Sequence, residues 1–521
     1  MYFLFLRRKT MSNVKNYVKL HREAVLFVLI FTLAALVRLV MFCDHPAGLN
    51  QDEASIGYDT WALMNFGIDR NGFSLPVQLV AWGSGQNVLY AYLSIPFIAV
   101  FGLNVFSVRI VNLLFSLITV VAAYGTVKRW KGKRTGFIAM AMVAAAPWNI
   151  MLARWGLESN VFPALLMLSI WALLKSTEKP RFFIVAAVIL SLSLYSYGSA
   201  YLVITLFSLA CFVYFIIKKL VPLRYLVIGA AVYALISLPI YLFMLVNVFQ
   251  LDTIRLGALS IPRLNGNRID AQSGATLSDF FHNFFRLGIE QTDLIERNAF
   301  PFYGCFYVIS LPFWLLGIYK CARSRKGFDI VLLMSLVFSV LLFGYYNSPN
   351  INRVNAIYIP LILLTAVGIG DFADCRRSFA AIFLAYSMCF CGFCFTYFGE
   401  NYRVSMSREF YSGFGEAIEA ADDIAQDGRT VYITNNVNMP YIYTLFYTQT
   451  PPDEYISTAK FANKGSMFEI VTSFSNYVFN TDGAEKGESG VYVLEASRRE
   501  LVAHMTSDIR VFDNFIVAVI P

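Results

Sequence analysis

The sequence is long, apolar and poor in charge: of its 521 residues, 57% are hydrophobic and 15% are charged. Soluble domains carry about 25% charged residues, so this composition excludes a soluble enzyme, a disordered chain and a secreted disulfide scaffold. Residues 400–521 hold 17 acidic and 9 basic side chains, so the net charge of +8 arises from residues 1–399, which carry +16. A positive excess confined to the apolar part of a chain is typical of a membrane protein.

Apolar runs of about 20 residues, the length that crosses a bilayer as a helix, recur from residue 24 to residue 397. We predict eleven membrane-spanning helices, at residues 24–42, 108–127, 135–152, 160–174, 182–198, 201–217, 225–246, 302–319, 328–345, 354–370 and 378–397. The predicted fold is therefore a polytopic α-helical membrane protein, with residues 1–399 as its transmembrane domain.

The composition becomes polar from residue 400, and residues 400–521 are predicted to form a small extracytoplasmic α/β domain. Within it we predict a helix at 409–426, strands at 430–434 and 490–494, and a polar turn at 482–489. Nothing in this part suggests a nucleophile, a metal site or a phosphate site, so we interpret it as a lid or a partner-binding domain.

The placement of lysine predicts the orientation. The twelve lysines of residues 1–399 all lie in the N-terminal tail or in the loops at 128–134, 175–181, 218–224 and 320–326. Because positively charged loops stay in the cytoplasm, the N-terminus is predicted inside and the C-terminal domain outside. The long outer loops are then 43–107 and 247–301, and aromatic-rich helices at 54–66 and 88–101 are predicted to lie along the membrane interface.

The most informative polar segment follows the first span and reads Asn50-Gln51-Asp52-Glu53. One interpretation is helix capping, with Asn50 as the N-cap and Glu53 closing a capping box. The other is catalytic: Asp52 lies at a cleft on the membrane surface and takes a proton from an acceptor hydroxyl or amine. Both can hold together, because a helix N-terminus favours a carboxylate in its charged form.

Several other polar residues are candidates, each with a structural alternative. Arg154 and Glu158 lie four positions apart, so they form either a helical ion pair or part of a site at a span boundary. Arg353 either extends to the lipid headgroups or grips a phosphate with its planar donors. His282 lies among phenylalanines of the second outer loop, either in a loop that contacts the acceptor or donor or on an interfacial helix, and the aromatic pattern is more typical of the helix. Arg38, inside the first span, is predicted to extend outward.

Cys389, Cys391 and Cys394 are close in sequence, but no histidine or carboxylate lies near them in their apolar span. A structural metal site needs four converging ligands. We therefore interpret these cysteines as small residues of a helix interior and predict no metal site.

These polar segments, in this order, resemble the GT-C superfamily of membrane glycosyltransferases, and most closely its protein O-mannosyltransferase and aminoarabinose transferase branch (glycosyltransferase family 39-like). The hallmark of that branch is an acidic pair just beyond the first span, here Asp52-Glu53. The likeness continues with the interface helix at 89–101, the stretch 102–109, Glu158 in the next outer loop, and Arg353 followed by Tyr358-Ile359-Pro360.

The resemblance implies an enzyme that takes a sugar from a polyprenyl-phosphate carrier on the outer face of a bacterial-type inner membrane and inverts the anomeric carbon. Carried over to this sequence, Asp52 is the general base, and Arg353 with Arg154 offsets the charge of the departing lipid phosphate. Glu158 orients an arginine or the acceptor, and Glu53 supports the start of the helix. The implied partners are the lipid-linked sugar and a glycan, lipid or protein acceptor, and neither a cofactor nor a metal is expected.

The sequence also departs from that branch. The Glu-Lys-Pro stretch of the aminoarabinose transferases is replaced by Gly85-Gln86-Asn87, which carries no charge, and Glu158 stands where relatives have Asp. Two other functions stay open, a transporter or flippase of lipid-linked sugars and an inactive scaffold of the same fold. Transporters usually bury ionisable residues near the bilayer midplane. Here the acidic residues cluster at the outer ends of the spans, which favours an enzyme.

Overall fold

The computed structural model describes residues 21–266, 273–324, 327–372, 376–426 and 428–521. The basic tail at residues 1–20 and Lys326, on which the predicted orientation partly depends, lie outside these ranges.

Helices form most of the chain before residue 400. They are α1 (Arg22–Leu39), α2 (Gln51–Phe66), α3 (Leu89–Phe101), α4 (Val105–Lys131), α5 (Lys133–Ala145), α6 (Pro147–Leu152), α7 (Phe162–Ser176), α8 (Phe182–Ser193), α9 (Ser199–Ile217), α10 (Leu223–Val248), α11 (Leu277–Asn283), α12 (Leu311–Ser324), α13 (Gly327–Tyr345), α14 (Ile351–Val354), α15 (Tyr358–Phe372) and α16 (Arg376–Tyr397). Two hairpins lie in the predicted outer loops, β1 (Gln78–Ala81) with β2 (Ser84–Asn87) and β3 (Ile254–Leu256) with β4 (Leu259–Ile261).

Seven helical segments of the described chain are long and apolar enough to cross a membrane. They are Val105–Lys131, Glu158–Ser176, Ser199–Ile217, Leu223–Val248, Gly327–Tyr345, Ile351–Phe372 and Arg377–Tyr397. Each of the seven overlaps a predicted span. The total of eleven membrane-spanning helices stays a prediction. The predicted span at 135–152 is divided into α5 and α6, because Pro147 begins a new helix, and the one at 182–198 contains α8, which has only 12 residues.

One end of the helical bundle carries a network of ion pairs. Glu23, at the start of α1, pairs with Lys128 and Lys133, which lie at the junction of α4 and α5. Lys131 Nζ lies 2.8 Å from a carboxylate oxygen of Asp329, at the start of α13. Segments that the lysine pattern places on one side of the membrane therefore meet at one end, and α1 leads from this end towards Asp52.

Arg38 is buried inside the bundle, so the prediction that it extends outward is wrong. Its guanidinium donates hydrogen bonds to Ser116 Oγ at 2.7 Å and to the carbonyls of Ala144 and Val143 at 3.0 and 3.3 Å. Pro147 lacks the N–H that would bond the Val143 carbonyl in a continuous helix. Arg38 donates a hydrogen bond to that carbonyl instead, so its guanidinium stabilises the break between α5 and α6.

The C-terminal region, residues 400–521, contains a seven-stranded mixed sheet with helices around it. The strands are β5 (Val431–Ile433), β6 (Lys460–Phe461), β7 (Val471–Phe474), β8 (Tyr477–Val478), β9 (Gly490–Glu495), β10 (Ile509–Phe512) and β11 (Phe515–Ile520). The helices are α17 (Glu400–Glu409), α18 (Phe414–Ile424), α19 (Pro440–Thr448), α20 (Pro452–Thr458), α21 (Asp482–Glu485) and α22 (Arg499–Val502). The order is β10-β11-β9-β5-β8-β7-β6, with β5 parallel to β8 and β9.

The two predicted strands correspond to β5 and β9, but the predicted helix at 409–426 is wrong at its start. The chain ends α17 at Glu409 and begins α18 at Phe414, because Gly413 adopts φ +86, in the left-handed region that interrupts a helix. The predicted polar turn at 482–489 begins with the short helix α21.

The C-terminal region packs on α2, the helix predicted at the membrane interface. Residues 53–60 of α2 are buried in protein. The Tyr58 hydroxyl donates to the Thr450 carbonyl at 2.6 Å, and a Cβ at Gly57 would approach the Phe446 ring to 2.5 Å. This face of α2 therefore joins the membrane part of the chain to the C-terminal region, and the location of α2 along the membrane interface stays a prediction.

Candidate functional site

The candidate site begins at the first turn of α2, where Asn50 caps the helix. Asn50 Oδ1 accepts a hydrogen bond from the Asp52 amide at 3.0 Å, and Glu53 Oε2 accepts one from the Asn50 amide at 3.0 Å. This is the capping box that the sequence predicts. The two neighbouring carboxylates are about 100° apart around the helix, so the cap fixes them in different surroundings.

Glu53 is fully buried and its two oxygens are occupied by protein donors. Oε1 accepts from Arg109 Nε at 2.8 Å and from the Gly156 amide at 2.6 Å, and Oε2 accepts from Arg109 at 3.0 Å. Arg109, on α4, also donates to the carbonyls of Pro46 and Gly48, both at 2.7 Å. Glu53 therefore anchors the chain on both sides of the cap, as the supporting role predicted for it requires.

Asp52 is only half-buried, in contrast to Glu53. Its carbonyl accepts a weak bond from Gln86 Nε2 at 3.4 Å, which connects it to the end of β2. The Arg297 guanidinium lies within electrostatic range of Asp52 and of Asp293. Burial lowers the pKa of Arg297, and these two carboxylates oppose that shift. Asp52 is thus the carboxylate of the acidic pair that stays accessible, with a cation near it.

Glu158 lies on the other side of the β1–β2 hairpin. It is buried, and its Oε2 accepts a hydrogen bond from the Asn87 amide at 2.8 Å. Asn87 Nδ2 donates to the Tyr201 hydroxyl on α9 at 3.0 Å. The uncharged end of β2, where the aminoarabinose branch carries charge, therefore bridges Asp52 and Glu158.

Arg353, on α14, lies against Tyr346. Its side chain is partly exposed, and its guanidinium carbon lies 5.3 Å from the ring centroid of Tyr346. The Tyr346 hydroxyl is an electrostatic neighbour of both Arg353 and Tyr201. Asn355 Nδ2 donates to the Ser159 carbonyl at 2.8 Å, which ties the end of α14 to the residue after Glu158. The elements that carry Asp52, Glu158 and Arg353 are therefore adjacent.

Arg154 is placed differently from the prediction of a helical ion pair with Glu158. The two residues do not share a helix, because residues 153–157 separate α6 from the 3-10 turn Glu158–Val161. The buried Arg154 guanidinium donates five hydrogen bonds of 2.6–3.2 Å, all to carbonyls at or after the end of α1, those of Val37, Arg38, Val40, Met41 and His45. Its cation caps the C-terminus of α1, where positive charge is favoured.

His282 is exposed at the last turn of α11. Phe281 and Phe285 beside it are 60% and 57% exposed, so the segment presents aromatic side chains outward, as an interfacial helix does. The structure gives His282 a neighbouring charge, Asp279, on its own helix.

Arg297, Asn87 and Arg109 are parts of the site that sequence reasoning missed or left without a role. Arg109 carried a usable signal, because an arginine inside an apolar span needs a buried partner. Arg297 and Asn87 carried none, since polar residues in long loops are common.

The resemblance drawn from the sequence is confirmed. Residues 86–243 match the family model described as dolichyl-phosphate-mannose-protein mannosyltransferase. No curated protein matches the chain. Among solved structures, ArnT from Cupriavidus metallidurans bound to undecaprenyl phosphate is similar over 95% of this chain and 98% of that chain, with 14% sequence identity and a TM-score of 0.57.

The archaeal oligosaccharyltransferase AglB from Archaeoglobus fulgidus, in complex with an inhibitory peptide and a dolichol-phosphate, is also similar. The similarity extends over 83% of this chain and 64% of the AglB chain, at 13% identity and a TM-score of 0.50. These likenesses define the class of fold: the chain is a multi-pass membrane protein with the GT-C fold of membrane glycosyltransferases. Within that class, the stretch from the end of β2 to the last turns of α10 carries the match to the mannosyltransferase family model.

Proposed function

We propose that this protein is an inverting glycosyltransferase that moves a hexose or a pentose from a polyprenyl-phosphate donor to an acceptor outside the cytoplasm. The observation that carries the proposal is that the elements bearing Asp52, Glu158 and Arg353 are adjacent. They come from distant parts of the chain, and bonds through Asn87 and Asn355 connect them. The undecaprenyl phosphate and dolichol-phosphate in the ArnT and AglB structures support a lipid-phosphate donor.

Asp52 is the general base in this proposal. The acceptor oxygen or nitrogen attacks the anomeric carbon, the bond from that carbon to the phosphate oxygen breaks, and the acceptor proton passes to the Asp52 carboxylate. The start of α2 favours a carboxylate in its charged form. Glu53 cannot take this role, because its oxygens already accept hydrogen bonds from Arg109 and the backbone.

Arg353 binds the departing lipid phosphate in this proposal. It is partly exposed, and a guanidinium offers paired donors that match phosphate oxygens. Charge that develops on the leaving group is offset there. Glu158 positions Asn87 at the end of β2, and Arg154 positions the segment that follows α1. The proposed reaction requires neither a metal nor a cofactor.

The ion-pair network around Glu23 supports a cytoplasmic location for that end of the bundle, with the candidate site at the outer end. The N-terminus is then cytoplasmic and the C-terminal region lies outside a bacterial-type inner membrane, as the lysine pattern predicts.

The test is Asp52→Asn in membranes supplied with polyprenyl-phosphate sugars. Transfer should fall by about 100-fold or more, the scale of general-base catalysis. The matched control is Asp252→Asn, because Asp252 is fully exposed in the second outer loop. Transfer by Asp52→Asn at the wild-type rate would contradict the proposal. Movement of lipid-linked sugar across the membrane without its consumption would instead indicate a flippase.

A further inference from the structure

Two adjoining cavities lie at one edge of the C-terminal sheet. Their volumes are about 850 and 450 Å³, and Tyr411, Asn436 and Val437 line both of them. The two cavities are therefore adjacent, and together we call them the edge groove. Cavities of this size accommodate small ligands.

The edge groove lies outside the carboxyl ends of parallel strands. Its walls include residues 435–441 after β5, residues 479–480 after β8, and residues 495–497 at the end of β9. β5 lies between β8 and β9. The chain that leaves β5 packs α19 on one face of the sheet, with Val431 and Val491, whereas the chain that leaves β9 packs Val502 on the other face, with Tyr492. Open α/β sheets bind their ligands at such a reversal, outside the carboxyl ends.

The larger cavity is neutral, rich in amides and aromatic. Asn435, Asn436 and Asn438 are exposed on the loop after β5, and Asn480 follows β8. The aromatic members of the lining are Tyr411, Tyr441, Phe468 and Phe479. The described residues that line this cavity include no charged side chain.

This lining matches the chemistry of a neutral sugar. An asparagine amide both donates and accepts, which suits hydroxyl groups that do the same. Aromatic faces suit the apolar C–H faces of a sugar ring. An ionised ligand would lose water in such a cavity without gaining a partner of opposite charge. Charged side chains enter only where the smaller cavity continues the groove, with Arg408, Glu495 and Asp513.

The loop that carries the amides is held in place before any ligand binds. The Thr434 hydroxyl accepts a hydrogen bond from the backbone N–H of Asn436 at 3.2 Å, and the Tyr411 hydroxyl accepts one from the backbone N–H of Asn438 at 3.2 Å. Met439 ends the loop with φ +55, a conformation that residues with a Cβ rarely adopt and that occurs at ligand-binding positions. A preformed loop reduces the entropy that binding would cost.

The edge groove is next to the proposed reaction centre. The Tyr411 ring lies 5.8 Å from the ring of Tyr443, whose hydroxyl donates to the Leu49 carbonyl at 3.3 Å, just before the cap of α2. Arg297 is an electrostatic neighbour of both Tyr411 and Asp52. Tyr411 and Tyr443 therefore connect the groove to the segment just before α2, the helix that carries the proposed general base.

We propose that the edge groove binds a neutral oligosaccharide, and that the acceptor of the transfer reaction is a glycan held there while its end reaches Asp52. The identity of the acceptor rests on the proposed function. The binding of a glycan in the groove does not.

Binding is tested with the full chain in lipid nanodiscs, without glycoside detergents, because their sugar headgroups would compete. The probes are fluorescently labelled neutral oligosaccharides of two to six hexose or N-acetylhexosamine units, measured by fluorescence polarisation. We expect binding by wild type, and a loss of about tenfold or more in Asn436→Ala, Asn438→Ala and Asn480→Ala. The matched control is Asn401→Ala, an exposed asparagine on α17, and melting curves show whether each variant is folded.

Transfer kinetics separate this inference from the proposed function. The groove variants should raise the KM for an oligosaccharide acceptor and leave the KM for the lipid-linked donor unchanged, whereas Asp52→Asn should lower kcat and bind probes normally. Glycan binding that the groove variants lose, without any sugar transfer by wild type, would support the groove and contradict the proposed function. No probe binding by wild type, binding unchanged in folded groove variants, or tighter binding of unstructured peptides would overturn the inference.

Discussion

Glu53 and Arg109 form a two-point ion pair, at 2.8 and 3.0 Å, in which both side chains are fully excluded from solvent. The pair joins the start of α2 to α4. Asp52, the preceding residue, is half-buried and lies within electrostatic range of Arg297, whose guanidinium pairs with Glu409. The two carboxylates of the acidic pair in the first outer loop therefore differ, since Glu53 is fully buried in protein contacts and Asp52 is half-buried.

Removal of the Glu53 carboxylate should mainly lower the free energy of unfolding, and any loss of sugar transfer should follow from that loss of stability. Glu53→Ala leaves Arg109 charged and buried, which costs about 3–5 kcal/mol when one partner of a buried pair is lost. Chemical denaturation in detergent measures this loss. Glu53→Ala with Arg109→Met should recover part of it, because the unpaired charge is gone. Wild-type stability of the single variant would show that the pair contributes little.

Arg154→Lys distinguishes a structural role from phosphate binding. A lysine has three donors on one nitrogen and cannot replace the five bonds to the carbonyls that end α1. Each carbonyl left without a partner costs about 1–3 kcal/mol, so the free energy of unfolding should fall by about 3 kcal/mol or more. Arg263→Lys is the control, since Arg263 forms a loose surface pair with Asp252. A stable Arg154→Lys with a raised KM for the donor would assign Arg154 to the phosphate.

Arg353→Gln should weaken binding of the lipid-linked donor with little effect on folding. Its guanidinium is partly exposed and stacks on Tyr346, so its loss removes a cation without leaving a buried charge unpaired. We expect KM for the donor, and the Kd of polyprenyl phosphate, to rise by about tenfold, since hydrogen bonds to charged groups contribute about 1.5–3 kcal/mol. Arg353→Lys should recover part of this affinity. Unchanged donor binding in Arg353→Gln would leave Arg353 as an interfacial anchor.

Local patterns predicted the parts of this site that depend on neighbours in sequence. The capping box at Asn50 and Glu53 needs only residues three positions apart, and it is present as predicted. The same reasoning failed for Arg154, because its acceptors lie 109 to 117 positions away. A guanidinium four residues from a carboxylate suggests an ion pair only if both lie on one helix, and Ala153 to Leu157 do not continue it.

The partners of Glu53 and Glu158 show the same limit. Glu53 meets Arg109 at a separation of 56 residues, and Glu158 meets Asn87 at 71. Which helices lie side by side decides such pairs, and hydropathy reports only that a helix is apolar. The protein-covered face of α2 was missed for this reason, since aromatic residues are equally typical of a membrane interface and of a core.

Stability should fall as the pH falls below about 6.5, in part through His45. This residue packs against Tyr397 after the end of α1, and burial together with the Arg154 cation lowers its pKa to about 4. Between these pH values the unfolded chain binds the proton and the folded chain does not, so the loss grows as pH falls and levels off near pH 4. Its size is at most about 3 kcal/mol. Denaturant unfolding of wild type and His45→Gln across this pH range isolates the contribution of His45 to the free energy of unfolding, because the other titrating groups contribute equally to both proteins. If the free energies of unfolding of the two proteins fell in parallel with pH, His45 would not be a source of the pH dependence.

Gly48 tests how firmly the C-terminal region is held against the candidate site. A Cβ at Gly48, with φ +85, would approach the Phe410 carbonyl oxygen to 2.1 Å, whereas Gly67, with φ +74, has no described atom within 4 Å of that position. Alanine at either glycine adds about 1–2 kcal/mol of left-handed strain, so the difference between the variants reports the contact alone. We expect Gly48→Ala to open the segment after α17 to limited proteolysis and to reduce sugar transfer, and Gly67→Ala to do neither. If both variants resist protease equally, the C-terminal region is held elsewhere, and the α2 contacts of Tyr58 become the next candidates because that hydroxyl donates to the Thr450 carbonyl at 2.6 Å.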